Sequence, residues 1–118
     1  MIQKQFKLDK ITDNYVRYAC TIRDSYEIFG VIWISKNLFP EQDVNKILAN
    51  YNKITVFVST NPIGNNCYRL SLNKSTKNYH RYITNKKQDG NIVIGDIYID
   101  NTLISPVEFV YINYKYET

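Results

Sequence analysis

The sequence predicts a mainly β fold: two similar antiparallel four-stranded units packed as a pseudo-dimer, with one α-helix, at about 40–50, inserted in the first. Three observations predict it. The chain contains an internal repeat, most of it alternates with the period of a strand, and one stretch alone carries a helical period.

The repeat is clearest in "KITDNYVRY" (10–18) and "KSTKNYHRY" (74–82), which agree at six of nine positions. At the same offset Phe6 and Leu8 fall on Leu70 and Leu72. After a one-residue slip "GVIWIS" (30–35) falls on "GDIYID" (95–100), and Leu38 on Leu103. "ITVFVS" from Ile54 is then answered by "VEFVYI" from Val107. Correspondences in one order imply a duplicated unit. The units are 1–60 and 67–118, joined by a linker at 61–66 and sharing one compact domain. The Asn-Pro and Gly-Asn steps of "STNPIGNN" mark the junction.

Unit one reads as strands 4–8, 15–23, 28–35 and 53–60. Unit two reads as strands 68–72, 79–85, 91–100 and 107–114. Dense Tyr, Ile, Val and Thr in alternation support each of them. The turns "DKITDN", "NKSTKN" and "KKQDGN" separate them. Thr12 and Asn14, like Thr76 and Asn78, suit hairpin corners, where short polar side chains bond nearby backbone. Gly30 and Gly95, inside strands, mark a bulge or a close backbone approach.

"FPEQDVNKILANYNK" breaks the pattern. Pro40 suits a first helical turn, with Glu41 and Asp43 near the positive helix end. Val44, Ile47, Leu48 and Tyr51 then follow at i, i+3, i+4 and i+7. The third strand of unit one is apolar on both faces, so this stripe is expected to cover its Trp33 side. Unit two has only a short loop there, and its outer face (Ile94, Asp96, Tyr98, Asp100) is expected to stay open while that of unit one is closed.

Composition bounds the function. A chain of 118 residues, 44% hydrophobic and 22% charged, is an ordinary globular domain. Its apolar runs are too short for a bilayer span, and "MIQKQFKLDK" lacks the apolar core of a secretory signal. A cytoplasmic protein with no membrane partner is expected, with Cys20 and Cys67 as reduced thiols. The abundance of Tyr (eleven residues), Asn, Lys and Ile points to an AT-rich genome. The net charge of +4 is mild, but residues 69–87 carry six cations and no carboxylate. That pattern suits either a phosphate backbone or a solvated hairpin.

Alternation turns Tyr79 and Arg81 outward beside Tyr98, flanked by Lys74, Lys77, Lys86 and Lys87. These seven residues form a candidate site for single-stranded DNA or RNA, where bases stack on rings and cations follow phosphates. Tyr15 and Arg17 are the corresponding secondary pair. Tyr and Arg are also ordinary cross-strand partners, so both readings stay open. The alternative function is a protein-binding module acting on a host defence or replication protein, through the same tyrosines or an exposed edge strand. Catalysis is not expected, and neither is a metal or cofactor. His80 shares a strand side with Tyr82, and neither cysteine has a histidine at a recognised spacing. The carboxylate pairs Asp24/Glu27 and Asp96/Asp100 lie in a turn and too far apart along a strand, respectively.

"FKLDKITDNYVRY" followed by "GVIWISKNLF" resembles short, largely uncharacterised β-proteins of phages and mobile elements. Their pattern is F-x-L-x-K-x-T-x-N-x-x-R-Y, then G-x-x-Y-I-x-K. The resemblance covers one unit, here in tandem. Unit one departs with Trp33 and the helical insertion, unit two with Leu70 and Asn101. It implies a small β-sheet protein in a phage-like setting, and no particular activity.

Overall fold

A computed structural model describes residues 2–21, 27–84 and 90–117. Its strands are β1 (Ile2–Ile11), β2 (Tyr15–Cys20), β3 (Ile28–Ser35), β4 (Lys53–Ser59), β5 (Tyr68–Ser75), β6 (Tyr79–Ile83), β7 (Val93–Asp100) and β8 (Phe109–Glu117). All pairings are antiparallel, and the strands close a barrel in the order β1-β2-β3-β7-β6-β5-β8-β4. Each half has the order fourth-first-second-third, a Greek key. The halves meet edge to edge, β3 on β7 and β4 on β8. Every strand therefore has two neighbours, and among the described residues no strand edge is left free for strand addition, because closure has paired it.

Register repeats between the halves. Phe6 faces Ile54 and Leu70 faces Val110. Across β3 and β7, Gly30 faces Ile97 while Ile32 faces Gly95. Both first strands shift register at the same point, between Leu8 and Lys10 and between Leu72 and Lys74. One expectation is corrected by this pairing. The residue matching Ile54 is Val110, three places beyond Val107, because β8 begins only at Phe109. The predicted ends of the second strands, 22–23 and 85, lie outside the described residues.

The corners repeat too. Thr12 Oγ1 donates to the Tyr15 carbonyl and accepts from its amide, both at 3.1 Å. Thr76 does the same with Tyr79, at 3.0 and 3.1 Å. The Asn14 and Asn78 carbonyls accept from Lys36 and Asn101 amides, each at 3.0 Å. The repeated motif is thus in large part a folding device. Its threonines satisfy backbone groups at a corner that has left the ladder.

Alternate residues fill the barrel: Phe6, Val16, Tyr18, Ile32, Ile54, Leu70, Tyr82, Ile97 and Ile112 are fully buried. His80 lies inside beside Tyr82, as its alternation predicts, and its Nδ1 lies 3.0 Å from Ser75 Oγ. The two inward tyrosines, Tyr18 and Tyr82, occupy matching positions.

The helix α1 (Val44–Asn50) is shorter than predicted and starts after Asp43. Asp43 caps it, its carboxylate accepting from the Asn45 and Lys46 amides at 2.8 and 3.2 Å. It does not cover Trp33. Ile47 alone is buried, while Val44 and Leu48 are 42% and 51% exposed. Ile47 and Phe39 join the interior cluster with Tyr51 packed against it, so the crossover plugs one end of the barrel. Phe39 lies against Tyr18, Tyr51 and Tyr116, and the Tyr116 hydroxyl donates to the Leu38 carbonyl at 2.6 Å. The barrel mouth is the deeper apolar surface, which explains the preference.

Candidate functional site

The outer surface of β2, β3, β7 and β6 is one continuous four-stranded face. Cross-strand register assembles a row across it: Lys10 opposite Arg17, Arg17 opposite Trp33, Trp33 opposite Ile94. A second row runs the other way: Lys74 opposite Arg81, Arg81 opposite Tyr98, Tyr98 opposite Phe29. Each therefore reads cation, cation, aromatic, apolar. On β3, Trp33 and Phe29 are four residues apart, which separates the rows by roughly 13 Å.

The rows share their detailed geometry. Tyr15 meets Trp33 edge-on, with centroids 5.2 Å apart and planes at 82°. Tyr79 meets Tyr98 edge-on at 5.0 Å and 82°. The Arg17 guanidinium lies 5.3 Å from the Trp33 centroid, and that of Arg81 lies 5.7 Å from Tyr98. Such contacts hold a cation and a ring in fixed relation. Phe29 stacks on Tyr98 at 4.7 Å and packs against Tyr79 at 5.6 Å, so this apolar ring is buried on the outside of the barrel.

The arginines differ in their electrostatic partners. Arg17 Nη1 lies 3.0 Å from the Asp9 carboxylate. Arg81 grips Asp96 with two bonds, Nε–Oδ1 at 2.7 Å and Nη2–Oδ2 at 2.9 Å, and donates from Nη1 to Asn73 Oδ1 at 2.9 Å. Asp96 raises the already high pKa of Arg81 further, chiefly through the hydrogen bonds. The carboxylate-free stretch in the sequence thus gains a carboxylate from β7. A cleft of about 340 Å³ opens between the rows, lined among others by Arg17, Phe29, Val31, Tyr79, Asp96 and Tyr98.

Of the seven site residues, Tyr79, Arg81 and Tyr98 come together on this face, all half-exposed, and Lys74 stands exposed opposite Arg81 on the flanking strand β5. Lys77 is exposed in the β5–β6 corner, and Lys86 and Lys87 lie outside the described residues. Arg17, expected only in a secondary pair with Tyr15, stands in the first row, and Tyr15 meets the Trp33 ring of that row edge-on. The expectation that unit one's face is covered is corrected, since the helix sits at the barrel end and leaves Trp33 half-exposed. Sequence reasoning missed Trp33, Lys10 and Phe29 as site residues. The repeat carried the signal: Lys10 and Trp33 occupy the positions of Lys74 and Tyr98.

Cys20 and Cys67 are free thiols, the first buried and the second half-buried. Of the carboxylates considered for chemistry, Asp96 is held by Arg81 and Asp100 accepts from the Thr102 amide and hydroxyl at 2.7 Å. Glu27 lies 3.7 Å from Lys4 Nζ, and Asp24 is outside the described residues. No family model, curated protein or solved structure matches the chain in comparisons with known proteins.

Proposed function

We propose that this protein binds single-stranded nucleic acid across the β2-β3-β7-β6 face. The observation that carries the reading is the pair of Lys–Arg–aromatic rows on one open surface. A half-exposed ring fixed by an edge-on tyrosine offers a stacking platform to any base, worth roughly 1–3 kcal/mol per base. Lys10, Lys74 and Lys77 stand exposed around these rings, where a phosphate backbone would pass. Asp9 and Asp96 orient the guanidiniums and at the same time temper their charge, which favours stacking over simple charge attraction.

Trp33 is the chain's one tryptophan and reports directly. Titration with a thymidine octamer at low salt should quench its fluorescence, and log K should fall with log[salt] by about 0.7 per phosphate neutralised. With a dye-labelled octamer followed by anisotropy, Trp33→Ala and Tyr98→Ala should each weaken binding about tenfold or more and leave that slope nearly unchanged. Absence of quenching or retention at low salt, with DNA and RNA alike, would sink the reading.

A further inference from the structure

Resting on that reading, we infer that one strand spans both rows and is accepted in either 5′-to-3′ sense. The carrying observation is the antiparallel relation of the rows. Lys10–Arg17–Trp33–Ile94 runs from β1 towards β7, and Lys74–Arg81–Tyr98–Phe29 runs from β5 towards β3. The seam fixes this relation, because the pairs Gly30–Ile97 and Ile32–Gly95 exchange under a half-turn about the Val31–Asp96 pair. A nucleic-acid strand has a direction, and a half-turn reverses it. A strand laid over both rows therefore meets the same sequence of cation, ring and edge-on tyrosine whichever way it runs.

The spacing suits one short segment. Rows roughly 13 Å apart correspond to about four stacked nucleotides at ~3.4 Å each. A dinucleotide can engage only one row, while an octamer engages both and gains the effective concentration of a tethered second contact. The centre of the face argues against phosphates gathering there. Val31 and Asp96 occupy it, and the Asp96 carboxylate would repel them. The backbone therefore crosses the centre once and meets its cations at the two ends of its path, Lys10 at one and Lys74 with Lys77 at the other. The rows are not identical: Trp33 answers Tyr98, and Ile94 answers Phe29. Those differences alter stacking strength, and they are expected to favour one sense over the other by no more than about threefold.

The test uses the whole chain and a thymidine octamer with a single 5-bromouracil at the 5′ or the 3′ end. After near-ultraviolet irradiation, cross-linked peptides are mapped by mass spectrometry, and stoichiometry is read by native mass spectrometry. One octamer per protein is expected, with each label found at both Trp33 and Tyr98 in yields within about threefold of one another. Binding of a dinucleotide should be at least tenfold weaker. If the 5′ label maps to one row and the 3′ label to the other, the two-sense inference is overturned while nucleic-acid binding stands. Two octamers per protein would overturn it equally. No retention of either octamer at low salt would instead overturn the binding reading, and this inference with it.

Discussion

Tyr18 and Tyr82 enter the barrel from matching positions of the two halves, and each hydroxyl is bonded to the crossover that closes its own end. Tyr18 donates to the Tyr51 carbonyl at 2.5 Å, and Tyr82 accepts from the Val107 amide at 3.4 Å. The shorter bond should matter more. Tyr18→Phe leaves a carbonyl short of its partner and should cost about 1–2 kcal/mol, with a smaller loss for Tyr82→Phe, both read from urea midpoints. Equal losses would show that the two ends are held alike.

Buried tyrosines also set an alkaline limit. Burial pushes the Tyr116 hydroxyl up to about 12, partly offset by its hydrogen bond with Tyr114, and moves Tyr18, Tyr68, Tyr82 and Tyr114 upward as well. The unfolded chain releases these protons near pH 10, whereas the folded chain keeps them. The stability they support is thus complete below pH 10 and drains away as pH climbs towards 12 and beyond. Ionisation of these five buried tyrosines, read by absorbance at 295 nm, should coincide with loss of far-ultraviolet dichroism. A single smooth titration with the fold intact would contradict it.

The helix separates plug from lid. Ile47→Ala removes a fully buried side chain from the barrel end and should cost ~2–5 kcal/mol. Leu48→Ala, at a half-exposed position on the same stripe, should stay within about 0.5 kcal/mol. Thermal or urea unfolding decides it, and reversed magnitudes would restore the helix to a face of the sheet.

Gly30 adopts a φ of 148°, and an added Cβ would run into the Asp96 carbonyl on β7. Gly30→Ala should therefore destabilise by more than ~3 kcal/mol, through strain and a broken seam. At Gly95 a Cβ would meet side chains alone, Leu70 tightly at 3.1 Å and Ile112 and Ile32 at ordinary contact, and φ is ordinary, so Gly95→Ala should be distinctly milder. Melting temperatures of the two variants give the comparison.

Asp96→Asn frees Arg81 from its two-bond carboxylate partner. The fold should lose only about 0.2–1 kcal/mol. Octamer binding should tighten a few-fold, with a salt slope steeper by up to ~0.7. Weaker binding would mean that Asp96 acts chiefly by holding the guanidinium in place.

Much of this was readable in the chain. Period-two alternation located all eight strands to within a few residues, and it placed Tyr79, Arg81 and Tyr98 outward and Tyr82 inward. The threonine corners were legible because Thr12 and Thr76 bond backbone three residues on, whereas the Asn14 and Asn78 carbonyls accept from the distant Lys36 and Asn101 amides, which no local pattern announces. Barrel closure was not legible, since β3–β7 and β4–β8 join residues far apart in sequence and leave no local mark. For the same reason the carboxylate that Arg81 grips was not identified: Asp96 arrives only through the β6–β7 register. The helical stripe was real but underdetermined, because Val44, Ile47, Leu48 and Tyr51 fit any apolar surface. The barrel mouth admits little more than Ile47, and that is a matter of three-dimensional room.

The seam has a consequence for assembly. Cut between β4 and β5, either half would display two strand edges, β3 and β4 or β7 and β8, with backbone groups seeking partners. Such a fragment would complete itself only by recruiting another, so its integrity would scale with protein concentration. The tether at 61–66 makes that encounter intramolecular and leaves the intact chain whole at any dilution. Crowded refolding, where halves of neighbouring molecules compete for the same edges, is the condition in which exchanged dimers would arise.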